Sequence, residues 1–168
     1  MARRIVLTEE DPSLRRKSRP VTAFDDRLRT IVRDMWETMR HENGVGLAAP
    51  QVGLLRRMFV MDTGDGEIVA VNPELSDYEG EQEEMEGCLS LPGLYGYVKR
   101  PLKVRLSAQD EHGNPFQKDL EGLAAVCACH ETDHLNGVLF RDIAEGELFR
   151  LEDLESADDT DDNAVNDD

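Results

Sequence analysis

His130-Glu131-Thr132-Asp133-His134 reads H-E-x-x-H inside a stretch, about Leu123 to Leu135, whose pattern is helical and is closed by Asn136-Gly137. Residues four apart share one face of a helix, so the two imidazoles can close on a single metal ion while Glu131 projects beside it. Metal-assisted hydrolysis asks for neutral nitrogen ligands, one open coordination position for water, and a carboxylate outside the ligand set to take the water's proton. The motif supplies all of this except a third ligand, which the rest of the chain must deliver to the same helix face.

Helix geometry narrows the choice of that ligand. Cys127, His130 and His134 fall within about 60° of one another around the axis, but Cys127 and His134 are roughly 10.5 Å apart along it, while ligands must approach a metal to about 2.0–2.3 Å. Cys129 sits about 100° away from His130 and points elsewhere. A remote thiolate, Cys88 in Glu86-Gly87-Cys88-Leu89-Ser90, is the favoured partner, with Asp62, Glu86 and His41 as alternatives. Cys127 and Cys129 then read as small buried side chains.

At 168 residues and 39% hydrophobic side chains the chain suits a single domain with a real core. It contains no apolar run of roughly 18 residues or more, so no membrane span is expected. The start, Met-Ala-Arg-Arg-Ile-Val, lacks the apolar segment of a signal peptide, and a cytoplasmic protein with reduced thiols is expected. Of the formal charge of −17, nine acidic side chains with no Lys or Arg lie in 152–168, leaving −8 on residues 1–151. A catalytic domain over 1–151 and an acidic, disordered tail over 152–168 follow. No basic stripe with interleaved aromatics exists, so direct nucleic-acid binding is not expected.

Leu28, Ile31, Val32, Met35 and Met39 recur at helical spacing after Asp25-Asp26, which predicts a helix ending before Gly44. Met58–Met61 and Ile68–Val71 flank Thr63-Gly64-Asp65-Gly66 and predict a hairpin. Tyr97 to Gln109, alternating from Leu102 onward, predicts a strand, and a further short strand is expected over Phe116 to Leu120. A last short helix is expected over Glu145 to Leu154. The predicted class is α+β: a central H-E-x-x-H helix surrounded by antiparallel strands, with an N-terminal and a short C-terminal helix.

Three segments together, Gly44-Val45-Gly46-Leu47-Ala48-Ala49-Pro50-Gln51-Val52-Gly53, Glu86-Gly87-Cys88-Leu89-Ser90 and His130-Glu131-Thr132-Asp133-His134, resemble in order and spacing the three signature motifs of peptide deformylases. The likeness runs from about Ile5 to Phe149 and includes Asp11-Pro12-Ser13-Leu14-Arg15 and Val71-Asn72-Pro73-Glu74. It implies removal of the formyl group from the N-terminal formylmethionine of newly made polypeptides. It also implies Cys88, His130 and His134 as ligands of one divalent ion, Glu131 as general base, and the Gln51 amide with the Leu89 backbone N–H as donors to the developing oxyanion. Ferrous iron is the ion the resemblance favours, with zinc, nickel and cobalt able to occupy the same site. Gly44 and Gly46 would let backbone approach the substrate, and Val45, Leu123, Val126, Cys127 and His130 would surround the methionine side chain. Glu86 would pair with Arg100.

Two departures accompany the likeness. Cys129 stands where the family commonly has Gln before the first histidine, and the acidic 152–168 stands where some members carry a basic helix that docks on the ribosome. Formylmethionyl nascent chains remain the implied partners, whereas ribosome contact through the C-terminus is not supported. The rivals are a zinc endopeptidase and a noncatalytic metal-binding relative. The absence of any His after His134 counts against several protease layouts, and the intact set of Gln51, Cys88, Glu131 and both histidines counts against loss of activity.

Overall fold

A computed structural model of the protein describes residues 2–154, so the acidic tail lies, from residue 155 onward, outside the described residues. Near the N-terminus the first regular element is a 3₁₀ turn, Pro12–Arg15, capped by the Asp11 carboxylate, which accepts from the Ser13 N–H. Helix α1 spans Asp26–His41. Its N-cap is Asp25, whose carboxylate accepts from the Leu28 N–H at 3.0 Å, and its apolar stripe Leu28, Ile31, Val32, Met35 and Met39 is buried.

That stripe packs against strands β1 (Gly46–Ala48) and β2 (Met58–Met61), contributing Leu47, Met58 and Val60 to one cluster. The predicted hairpin forms, with Met58 opposite Val71 and Met61 opposite Ile68. Its second strand, β3 (Ile68–Glu79), runs further than the apolar signal. Register shifts between Val71 and Glu74, where Asn72 takes φ 52° and Pro73 has no N–H to offer a ladder. The Asn72 side chain uses this bend to accept from the Val21 N–H and donate to the Val21 carbonyl, both within 2.9 Å, tying down the N-terminal arm.

The expected single strand over Tyr97 to Gln109 is corrected to parts of two. Strand β5 (Leu91–Arg100) ends at Pro101, and β6 (Lys103–Gln109) begins beyond it, because Pro101 can donate no hydrogen bond. β4 (Gln82–Cys88) pairs with β5 in a hairpin that sequence periodicity missed. Among its seven residues only Glu86 is buried, so β4 carries no apolar alternation to read. β7 (Pro115–Glu121) adds to β6 as expected.

The expected C-terminal helix over Glu145 to Leu154 is likewise corrected: Glu145–Phe149 is strand β8, paired with β5, and only residues 151–154 form a helical turn. Tertiary contacts override local preference there. The Phe149 ring lies 5.6 Å from Tyr97, and Leu148 fills the space beside Gly96, where a Cβ would stand 2.6 Å from it.

The strands make two antiparallel sheets, β1-β2-β3-β6-β7 and β4-β5-β8. Helix α2 (Leu123–Leu135) contacts members of both, and Ala124, Ala125, Ala128 and Leu135 join the core of the larger sheet. Small residues let the backbone of α2 approach that sheet closely, and most of the helix is buried.

Candidate metal centre

The buried helix α2 carries His130, Glu131 and His134, and the end of β4 brings Cys88 to meet them. One donor atom each from Cys88, His130 and His134 lies within 4.8 Å of the others, the one such group among the described residues. Cys88 Sγ stands 3.4 Å from His134 Nε2. The Glu86 carboxylate is 2.8 Å from His130 Nδ1, which leaves Nε2 as the ring nitrogen available for a ligand. Burial, reinforced by His130 and Arg100, holds the His134 imidazole well below its ordinary pKa; at His130 burial acts in the same direction, but Cys88 and Glu86 overcome it and hold that ring above its ordinary value. Three protein donors, one soft and two of intermediate character, fit a divalent transition metal with a coordination position left for water.

Glu131 lies 4.0 Å from His130 Nε2 and is almost wholly buried, with Oε2 lacking a hydrogen-bond partner among the described residues. Burial is the main cause that lifts its pKa to about 7. Gly46 on β1 is what makes room for it: a Cβ there would stand 2.8 Å from both Glu131 Oε1 and Cys127 Sγ. The glycine that the sequence suggested as a close approach to substrate thus faces the carboxylate and the thiol. At Gly44 a Cβ would meet Leu89 Cδ1 at 3.0 Å.

Gln51 sits in a 3₁₀ turn, Ala49–Val52, immediately after β1. Its Oε1 accepts from the Ala48 N–H at 2.9 Å, which fixes the amide so that Nε2 donates to Ser90 Oγ at 3.1 Å and faces Cys88 Sγ at 3.5 Å. Leu89, between Cys88 and Ser90, is half-buried and packs against the cluster under α1.

Behind the donor group, Arg100 forms a bidentate pair with Glu86 (2.8 and 3.0 Å) and reaches Asp133 at 2.7 Å. Burial works to raise the Glu86 pKa, but His130 and Arg100 together overcome it and hold the carboxyl below its usual range. The pairing expected from the resemblance is therefore an internal one, with both side chains no more than 5% exposed. Asp133 was not anticipated as its third member. Its place inside the motif, three residues from His130, is the signal that sequence offered. Ser90, the partner of Gln51, was likewise signalled only by its place at the end of the Glu86–Ser90 segment.

Other sequence candidates lie elsewhere. Asp62 caps its own turn by accepting from the Gly64 N–H, and His41 lies against Arg3. Cys127 and Cys129 are buried thiols outside the donor group, and burial pushes Cys129 up to about 11 and Cys127 well above the ordinary thiol range. A cleft of about 930 Å³ opens over the site, lined by Val45, Leu123, Val126, Cys127, His130 and Glu131 among others. Val45 and Leu123 are exposed on its rim, while Val126 and Cys127 form buried wall.

A sequence model of one family, polypeptide deformylase, matches residues 3–147 of this chain. The chain belongs to the polypeptide deformylase family. A peptide deformylase of Caldicellulosiruptor bescii is 52% identical over 142 residues, covering 84% of this chain and 86% of the relative. Peptide deformylase 2 of Clostridium acetobutylicum is 49% identical over 144 residues, 85% of this chain and 96% of the relative. Among solved structures, the deformylase of Thermotoga maritima superposes with a TM-score of 0.85 at 40% identity, over 87% of this chain and all of that one. The α+β architecture is that of these enzymes. The chain is accordingly a metal-dependent hydrolase that removes the formyl group from the N-terminus of newly made polypeptides, and the endopeptidase alternative falls away.

Proposed function

We propose that Cys88, His130 and His134 hold the metal ion, that Glu131 moves the protons of the hydrolysis, and that Gln51 and the Leu89 N–H receive the charge that develops on the formyl oxygen. The observation that carries this reading is the convergence of the three donor atoms within 4.8 Å beside a buried carboxylate. What a divalent ion contributes at such a site is Lewis acidity, polarising the formyl carbonyl and making a water nucleophilic near neutral pH. Fe2+ is the native ion in this reading, with Zn2+, Ni2+ or Co2+ as substitutes.

The side chains then divide the work. Glu131, with Oε2 uncommitted, accepts a proton from the attacking water and hands one to the departing amine. Gln51, its amide fixed by the Ala48 N–H, presents its NH2 without having to reorient as charge appears. Losing one such donor costs roughly 10²–10³ in rate. Glu86 and Arg100 orient His130 and take no part in proton transfer. The methionine side chain enters between Val45, Leu123, Val126 and Cys127, in the cleft that Gly44 and Gly46 also line.

The substrates in this reading are formylmethionyl nascent chains met in the cytoplasm. No helix among the described residues is long and apolar enough to cross a membrane. Docking on the ribosome by a basic C-terminal helix is not proposed, since 152–168 holds nine acidic residues and no basic one.

The test is formate release by protein purified and iron-loaded without oxygen, supplied with formyl-Met-Ala-Ser and with its acetylated counterpart. Rapid release from the formyl peptide alone, lost in Glu131→Gln with metal content retained, supports the assignment. Equal turnover by Glu131→Gln would refute the role given to Glu131, and loss of metal from neither Cys88→Ala nor His134→Ala would refute the ligand set.

A further inference from the structure

The cleft over the metal donors extends to a part of the molecule that the chemistry does not use: Arg3, Arg4, Ile5 and His41 line it as well. The N-terminal arm is fastened there by hydrogen bonds to buried residues of α1. The Ala2 N–H donates to Asp34 Oδ1 at 2.9 Å, the Arg4 N–H donates to Thr38 Oγ1 at 2.8 Å, and the Arg4 guanidinium meets Asp34 Oδ2 at 3.1 Å. Arg3 is thereby held between two anchored residues, and its Nη1 lies 2.6 and 2.8 Å from the two ring nitrogens of His41.

This juxtaposition is electrostatically incomplete. Arg4 has its carboxylate in Asp34, but Arg3 makes no ion pair with a carboxylate among the described residues, and its neighbour is a basic ring. Of the carboxylates lining the cleft, Glu86 is committed to Arg100 and His130, and Glu131 is buried at the reaction centre. Only Glu42, exposed and without an ion pair, opposes the positive charge at this end. An exposed guanidinium at a cleft lip, in a protein whose formal charge is −17, is placed to act on whatever enters the cleft.

We propose that Arg3, seated on His41, is a specificity-determining residue that favours substrates carrying a carboxylate among the residues that follow formylmethionine. The inference rests on the deformylase reading above and adds a preference to it. A peptide extends about 3.3–3.4 Å per residue, so successive positions sample the cleft, whose lining includes Arg3, in small steps. The same chemistry could come from an acidic side chain or from the terminal carboxylate of a short peptide. Amidated peptides separate the two.

The experiment measures kcat/KM for C-terminally amidated formyl-Met pentapeptides of otherwise neutral sequence, with Asp or its isostere Asn placed in turn at positions two to four. At low salt the native enzyme should favour Asp at one position by about two- to fivefold, the range an exposed ion pair supports, and lose that preference as salt rises. Arg3→Gln should bring the Asp/Asn ratio to one, Arg3→Glu should invert it, and Glu42→Gln should raise it. Arg27→Gln, the same charge change on the exposed face of α1, should leave the ratio alone. Because each variant is its own reference, a general loss of activity cancels. A ratio of one at every position in the native enzyme, or a preference undiminished in Arg3→Gln, would overturn the proposal. Preference seen only with free-acid peptides would move the recognised group to the terminal carboxylate and overturn the side-chain form. Absence of formate from all peptides, Asn versions included, would instead sink the deformylase reading on which it depends.

Discussion

Replacing Arg100 by Leu separates an internal charge network from an ordinary surface pair. The Arg100 side chain is 5% exposed and the Glu86 side chain 4%, and the guanidinium makes three bonds of 2.7–3.0 Å to Glu86 and Asp133. Leucine leaves Glu86 a buried carboxylate whose one remaining partner is His130 Nδ1. Breaking a buried pair from one side costs about 3–5 kcal/mol, whereas an exposed pair is worth about 0–1 kcal/mol. In a domain of this size 1 kcal/mol moves the melting temperature by roughly 2–4 °C, so a fall of roughly 6–20 °C is expected. Urea unfolding followed by circular dichroism, at a fixed saturating zinc concentration, measures the loss directly. The same substitution frees the ring of His130 to turn, so chelator competition should show metal affinity weakened about 10–100-fold. Adding Glu86→Gln should recover part of the stability, since no buried charge is then left alone, but not the metal affinity. A loss below about 1 kcal/mol with unchanged metal affinity would refute the reasoning.

Gly46→Ala puts a methyl 2.8 Å from Glu131 Oε1 and Cys127 Sγ, so kcat/KM for formyl-Met-Ala-Ser should fall at least about tenfold with metal still bound; native kcat/KM would contradict the packing argument. Gly137→Ala meets the Arg15 carbonyl oxygen at 2.5 Å from a backbone at φ 74°, and the obstacle is main chain, so more than about 2 kcal/mol should be lost in urea unfolding, against less than about 0.5 kcal/mol for an exposed control substitution. Removing the metal with a chelator should lower the melting temperature: at a hundredfold excess over Kd the ion contributes about 2.7 kcal/mol, and an unchanged midpoint would mean that it is not held by the folded donor set.

The elements legible in the sequence were those whose own side chains carry the signal. α1 announces itself by a stripe with Asp25 as cap, the β2–β3 hairpin by two apolar runs around glycines, and α2 by a breaker-free stretch closed at Asn136-Gly137. β4 and β8 were not legible, because what makes them strands is β5 lying between them, not an apolar alternation of their own. The boundary between β5 and β6 turned on Pro101, which an apolar count passes over.

For the site, local spacing determined that His130 and His134 share a helix face with Glu131 beside them, since helical periodicity is a property of the chain alone. It also removed Cys127 from contention by axial distance and favoured Cys88 over the remote alternatives Asp62, Glu86 and His41. Bringing the Cys88 thiol beside the two histidines was the work of the fold: β4 carries it across the sheet to α2, while Asp62 and His41 end in a turn and on the arm. The bidentate lock on Glu86, the carboxylate of Asp133 behind it, the space left by Gly46 and the Arg3–His41 end of the cleft likewise exist only where distant segments meet. Sequence fixes which chemistry each residue offers; burial and direction, which decide how strongly a charge is felt and what it can reach, belong to the tertiary structure.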